Sequence, residues 1–228
     1  MVNEFLGIDI SPISDHLDLF LNASILTIVI SFAAIALGFA LGVPLGLARI
    51  SKWKIVKWPA TLYVDVIRGT PLLVQLFIIY FGLPFIGIKF PATISAILAV
   101  GIHSSAYQAE ILRGGIQSIP KGQTEAARAT GMTHLQAMRY VILPQSLRLI
   151  IPPMTNEFII VIKDSSLAYA IGVVELTKLG YQLNGDYFEP FLIFTFVALV
   201  YLIITFSTST VMKQVERKFR IPGYGVHE

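Results

Sequence analysis

A chain of 228 residues that is 55% hydrophobic and only 14% charged, with a mean hydropathy of +0.72, lies outside the range of soluble domains, in which about 25% of residues are charged. The length suits one domain, and the absence of cysteine excludes disulfides, thiolate metal sites and thiol catalysis. The formal net charge of +3 could suggest nucleic acid, but the basic residues segregate by membrane side, which excludes that partner.

The first 18 residues carry Glu4, Asp9, Asp15 and Asp18 and no Lys or Arg, the reverse of the basic start of a secretory signal. Residues 19–48 contain no charge, ample for the roughly 20 apolar residues of a tilted membrane-crossing helix. Within them Gly38, Gly42 and Gly46 recur every fourth residue and form a flat stripe. Such a stripe fits either packing against another span or a subunit interface. Pro44 is expected to kink that helix or end it early. The uncharged run 69–88 predicts a second span over 60–88, and the run 90–109 a third over 90–113. A fourth span over 143–168 is the weakest, because Glu157 interrupts its apolar stretch 149–162. Residues 190–212 are uncharged and predict a fifth span over 189–212.

The chain thus reads as an all-α integral membrane protein, one transmembrane domain over 1–228 with five transmembrane helices. Arg49, Lys52, Lys54 and Lys57 follow the first span. Arg113, Lys121, Arg128, Arg139 and Arg148 follow the third, and Lys213, Arg217, Lys218 and Arg220 the fifth. These thirteen of the seventeen basic residues share one side, which places the N-terminus outside and the C-terminus in the cytoplasm.

Residues 120–142 form a cytoplasmic elbow between the third and fourth spans. Pro120 and Gly122 break the preceding helix, and Glu125 is expected in the first turn of a short Ala-rich helix, where its charge suits the dipole. Gly131 is a left-handed helix stop. Thr133 with Gln136 makes a capping box for a second helix, and Pro144 marks re-entry into the membrane.

Polar residues at membrane depth default to functional hypotheses. Glu157, with Asn156 beside it, lies half-way along the fourth span; the third contributes His103, Ser104, Ser105, Tyr107 and Glu110. Glu157 could hold the side chain of a cationic amino acid while hydroxyls hold its carboxylate, or it could pair with Lys163. Glu110 could face the same pocket or pair with Arg113. His103 suits an interhelical hydrogen bond better than a metal, since no second His or Cys stands at ligand spacing. The run 163–166 (KDSS) at the outer end of the fourth span fits a gate, a protein contact or the membrane boundary. No phosphate-binding loop, nucleophile elbow or zinc signature occurs, so no catalytic or metal residue is assigned. On these grounds alone the chain is a transporter, a channel or a membrane assembly subunit.

The elbow's spacing is more specific. Glu125-Ala126-Ala127, then Gly131, then Leu143-Pro144 resembles the EAA loop of permease subunits of binding-protein-dependent ABC importers, with Val141 where Ile is usual. The stretches 68–75 (RGTPLLVQ), 109–115 (AEILRGG), 156–158 (NEF), 163–167 (KDSSL) and 216–219 (ERKF) resemble its polar amino-acid branch. The resemblance implies the MetI-like transmembrane fold of type I ABC importers in the cell membrane, multi-pass. It implies a coupling role for Glu125, Ala126, Ala127, Gly131, Thr133, Leu143 and Pro144, which would convert closure of an ATPase dimer into a tilt of the attached spans. The implied partners are two ATPase subunits, a second permease subunit (the same chain or a similar one), an extracellular solute-binding protein, the amino-acid substrate and the lipid bilayer. ATP would be bound by the ATPase, with no cofactor in this chain.

Overall fold

The structure is a computed structural model that describes residues 4–5 and 8–219. A two-residue antiparallel pairing of Glu4–Phe5 with Ile8–Asp9 opens the chain. The short helix α1 (Ser11–Ser14) precedes α2 (Leu17–Ile50), whose 34 residues span about 51 Å at 1.5 Å per residue. Next come α3 (Lys54–Arg68) and α4 (Leu72–Phe77), the latter extended by a π turn over Ile78–Gly82 and a 3-10 turn over Leu83–Ile86. Helix α5 (Ala92–Gln117) leads into α6 (Lys121–Ala129) and α7 (His134–Ala137). A π turn over Met138–Ile142 joins α7 to α8 (Leu143–Asp164). A 3-10 segment over Ser165–Ile171, α9 (Leu176–Tyr187) and α10 (Pro190–Phe219) complete the described chain. Arg220, counted above with the basic residues after the fifth span, lies outside the described residues.

By length and composition α2 and residues 190–218 of α10 are able to cross a membrane. The segment expected as one span over 60–88 is two helices, Lys54–Arg68 and Leu72–Ile86, meeting at 102°. The break has a local cause. Pro71 lacks an amide proton and pushes Thr70 out of the helical region, while Gly69 closes α3 by donating to the Asp65 carbonyl. Gln75 then staples the corner: its Nε2 donates to the Ile67 carbonyl at 2.8 Å and to Thr70 Oγ1 at 2.7 Å.

The glycine stripe of α2 packs against α5. A Cβ on Gly42 would meet the Ser105 carbonyl oxygen at 2.8 Å, and one on Gly46 the Ala109 carbonyl oxygen at 2.8 Å. The two backbones approach as closely as small residues allow, which is how helices bind one another where water supplies no hydrophobic drive. Intramolecular packing is therefore the use of this stripe. Pro44 does not end the helix early, because α2 continues to Ile50 with Gly42 and Gly46 seated on α5 either side of it.

Three apolar clusters hold the remaining helices. Ile30, Ala34, Leu76, Ala99, Val100 and Val161 join α2, α4, α5 and α8. Leu112, Ile116, Ile142, Ile150 and Met154 fix the elbow end of α5 to α8. Phe20 and Ala23 meet Leu176, Leu179, Leu183, Ile193 and Val197 of α9 and α10.

Candidate functional site

Two arrangements gather the polar residues singled out by the sequence. The first lies between α5 and α8. Ser104 Oγ donates to Glu157 Oε1 at 2.7 Å, and Gln108 Nε2 donates to Ser104 Oγ at 3.0 Å. All three side chains are buried, Glu157 being 5% exposed. Among the described residues no cationic group stands within ion-pair distance of Glu157. The alternative pairing with Lys163 is therefore not formed. A buried carboxylate with one hydroxyl donor and no counter-charge carries a large desolvation cost, which an added cation would offset.

The expected pocket residues divide around this pair. Ser105 faces the other way, its hydroxyl 2.9 Å from the Tyr63 hydroxyl on α3. Asn156 is exposed and, about 100° around α8 from Glu157, does not join the cluster. Glu110 pairs with Arg113, whose Nη2 and Nε lie 2.5 and 3.0 Å from its two oxygens, and with Arg49 Nη1 at 2.5 Å. Arg68 approaches it at 3.9 Å and lies over the Tyr107 ring, 5.2 Å from the centroid. Glu110 and Tyr107, six and three residues beyond Ser104 on α5, thus belong to an arginine-rich tie between α2, α3 and α5. His103 Nδ1 is 3.2 Å from Gln75 Oε1, the interhelical hydrogen bond expected of it.

Two participants escaped the sequence reading. Gln108 was signalled only by lying four residues from Ser104 on one helix face. Glu175 is fully buried and caps α9: Lys178 N and Thr177 N donate to it at 2.8 and 2.9 Å, and Tyr201 of α10 at 2.7 Å. Nothing in its surroundings marked a helix start, because an N-terminal cap by Glu is uncommon.

The second arrangement is the elbow. Gly131 has φ +88 and closes α6 by donating to the Arg128 carbonyl at 3.1 Å. The capping box forms as expected, with Gln136 N donating to Thr133 Oγ1 at 3.2 Å and Thr133 N to Gln136 Oε1 at 2.8 Å. Glu125 is not in the first turn: Pro120 caps the helix, so α6 starts at Lys121 and Glu125 falls in the second turn, where the dipole acts more weakly. Ala127 and Ala137 turn inward and are buried, whereas Glu125, Ala126, Gly131 and Thr133 are exposed. Leu135 of α7 and Tyr140 of the π turn after it are 75% and 64% exposed. Leu143 is half-buried and Pro144 exposed at the start of α8, where the preceding π turn accommodates the missing proline amide.

An all-helical bundle with a buried polar pair in its middle and a capped elbow at one end defines a membrane-embedded transport component. The chain belongs to the family of binding-protein-dependent transport system inner membrane components, whose model matches residues 34–221. It is 40% identical over 215 residues to the glutamine transport system permease protein GlnP of Escherichia coli K12, covering 93% of this chain and 98% of that one. It is 42% identical over 193 residues to the probable amino-acid ABC transporter permease protein YckA of Bacillus subtilis, covering 85% of each. A solved structure described as an amino acid ABC transporter with histidines superposes with a TM-score of 0.85 at 39% identity, covering 96% of this chain and all of that one. The methionine transporter MetNI in an inward-facing form shares the fold, with a TM-score of 0.78 at 22% identity over 91% of this chain and 99% of that one.

Proposed function

We propose that the chain is the membrane-spanning permease subunit of an ATP-binding-cassette importer that carries polar, chiefly basic, amino acids into the cytoplasm by alternating access. The names of its relatives support amino acids as the class of cargo. The observation that carries the basic preference is the Glu157–Ser104 pair, a buried carboxylate with a hydroxyl donor and no cation. An arginine or lysine side chain would supply that missing charge. In this reading five spans cross the cell membrane with the C-terminus in the cytoplasm, α4 with its extension serving as the second. The exposed Glu125–Gly131 surface, followed along the chain by the exposed Leu135 and Tyr140, is where an ATPase subunit docks. Two ATPase subunits, a second permease subunit and an external solute-binding protein complete the assembly. Five helices are too few to enclose a path for an amino acid, which is the ground for a dimer.

The test is uptake by the reconstituted complex carrying Glu157→Gln. A hydrogen bond to a charged group contributes about 1.5–3 kcal/mol, so arginine and lysine transport should fall about tenfold to a hundredfold, with glutamine transport nearly unchanged. Equal loss for all three would assign Glu157 to packing.

A further inference from the structure

Helix α3 has two apolar faces and a charged edge. One face, with Ala60 and Val64 buried, lies on Ala106 and Ala109 of α5. The other carries Ile55, Trp58, Leu62 and Val66, at helical spacings of three and four, and is 82%, 68%, 48% and 52% exposed. Every residue from Lys52 to Pro59 is exposed, so the first half of α3 stands clear of the bundle. Lys54 borders the exposed stripe and Lys52 and Trp53 precede it, whereas Lys57, exposed as well, falls on the helix face of Ala60 and Val64. No acidic residue occurs between positions 50 and 64, and none of these lysines has an ion pair among the described residues. The 102° corner at 69–71 sets α3 nearly perpendicular to the apolar α4 segment, so α3 lies flat where α4 crosses.

We infer that the free face of α3 is a binding surface for anionic lipid at the membrane boundary. The apolar stripe enters the acyl region, the indoles sit at headgroup level, and Lys52 and Lys54 meet headgroup phosphates. A protein partner would be expected to match the lysines with carboxylates; the basic, indole-bearing first half of α3, with Asp65 three turns beyond Lys54, matches a phosphate-bearing surface instead. The inference stands on the shape and charge of α3 and is independent of the cargo assigned to Glu157.

The chain's only two tryptophans, Trp53 and Trp58, both belong to this surface, so its intrinsic indole emission reports on it directly. The full chain is reconstituted in phosphatidylcholine vesicles containing a minor fraction of brominated phosphatidylglycerol or, separately, brominated phosphatidylcholine. The phosphatidylglycerol should quench at least about fivefold more strongly, the enrichment that a single juxtamembrane lysine provides. Replacing Lys52 and Lys54 together by Gln should bring the ratio close to one while quenching by brominated phosphatidylcholine persists. Equal quenching by the two lipids in the unmodified chain would overturn the anionic preference. Emission insensitive to both would overturn the lipid assignment altogether and give the face to a second copy or another protein. Should the double variant insert poorly, Lys54→Gln alone must give an intermediate ratio.

Discussion

The contact between α2 and α5 makes a prediction with a sign that can be read in advance. Replacing Gly42 by Ala places a Cβ 2.8 Å from the Ser105 carbonyl oxygen, 3.0 Å from Gln108 Cβ and 3.3 Å from Ala109 N. Two of these atoms are backbone and cannot swing aside. Reaching an ordinary separation of about 3.5 Å requires the helices to move apart by roughly 0.7 Å along their shared seam. Overpacking of this kind costs about 1–3 kcal/mol, against a gain of about 0.5–1 kcal/mol for removing a helical glycine, so Gly42→Ala should destabilise by about 1–2 kcal/mol. At about 2–4 °C per kcal/mol for a chain of this size, the thermal midpoint of the purified chain should fall by roughly 2–8 °C. Gly114→Ala on α5 is the matched control: nothing lies within 4 Å of its Cβ, and the midpoint should hold or rise. The assay is retention of a monodisperse peak after graded heating in detergent. If Gly42→Ala and Gly114→Ala move the midpoint alike, the close seam does not exist as described.

At the elbow, Gly131→Asp should leave the chain inserted but uncouple uptake from ATP hydrolysis, measured in proteoliposomes. Gly131→Asn, which tolerates a positive φ, should keep the stability within about 1 kcal/mol of the parent. Uptake at the normal rate in both variants would remove the docking role. At the corner, Gln75→Leu abolishes the donors to Ile67 and Thr70 and the acceptor to His103. Three lost bonds of about 1 kcal/mol each should loosen the turn, seen as faster amide exchange at residues 68–72 with little change in α2; unchanged exchange there would refute the stapling.

Much of this architecture was legible because the membrane imposes a length and a polarity on each helix. The uncharged run 19–48 located α2 to within two residues at each end and the run 190–212 located the start of α10, which continues to Phe219, and the elbow's glycine and capping box formed as their local chemistry required. The second span misled because hydropathy is blind to direction. Residues 60–68 are apolar enough to extend the run 69–88, yet Gly69, Thr70 and Pro71 turn the chain by 102°. Glu125 was placed one turn early because α6 begins at Lys121 and takes in Gly122, which reads as a helix breaker. The site was half-readable: Ser104 and Glu157 do meet, while Ser105 and Asn156, adjacent to them in sequence, point elsewhere because neighbouring helical residues diverge by about 100°. Glu175 was invisible, since its three donors come from a helix start and from a tyrosine 26 residues away.

The two ends of the elbow differ mechanically. On the α5 side the helix stops at Gln117 and the chain passes through Ser118 to Pro120 before α6 begins. On the α8 side α7 continues through the π turn into α8 without a break. Under the docking role proposed for the elbow, a displacement at Gly131 would bend the chain at 118–120 on one side and pull on a continuous helical path on the other, about four turns from Leu143 to Glu157 that carry Pro152 and Pro153.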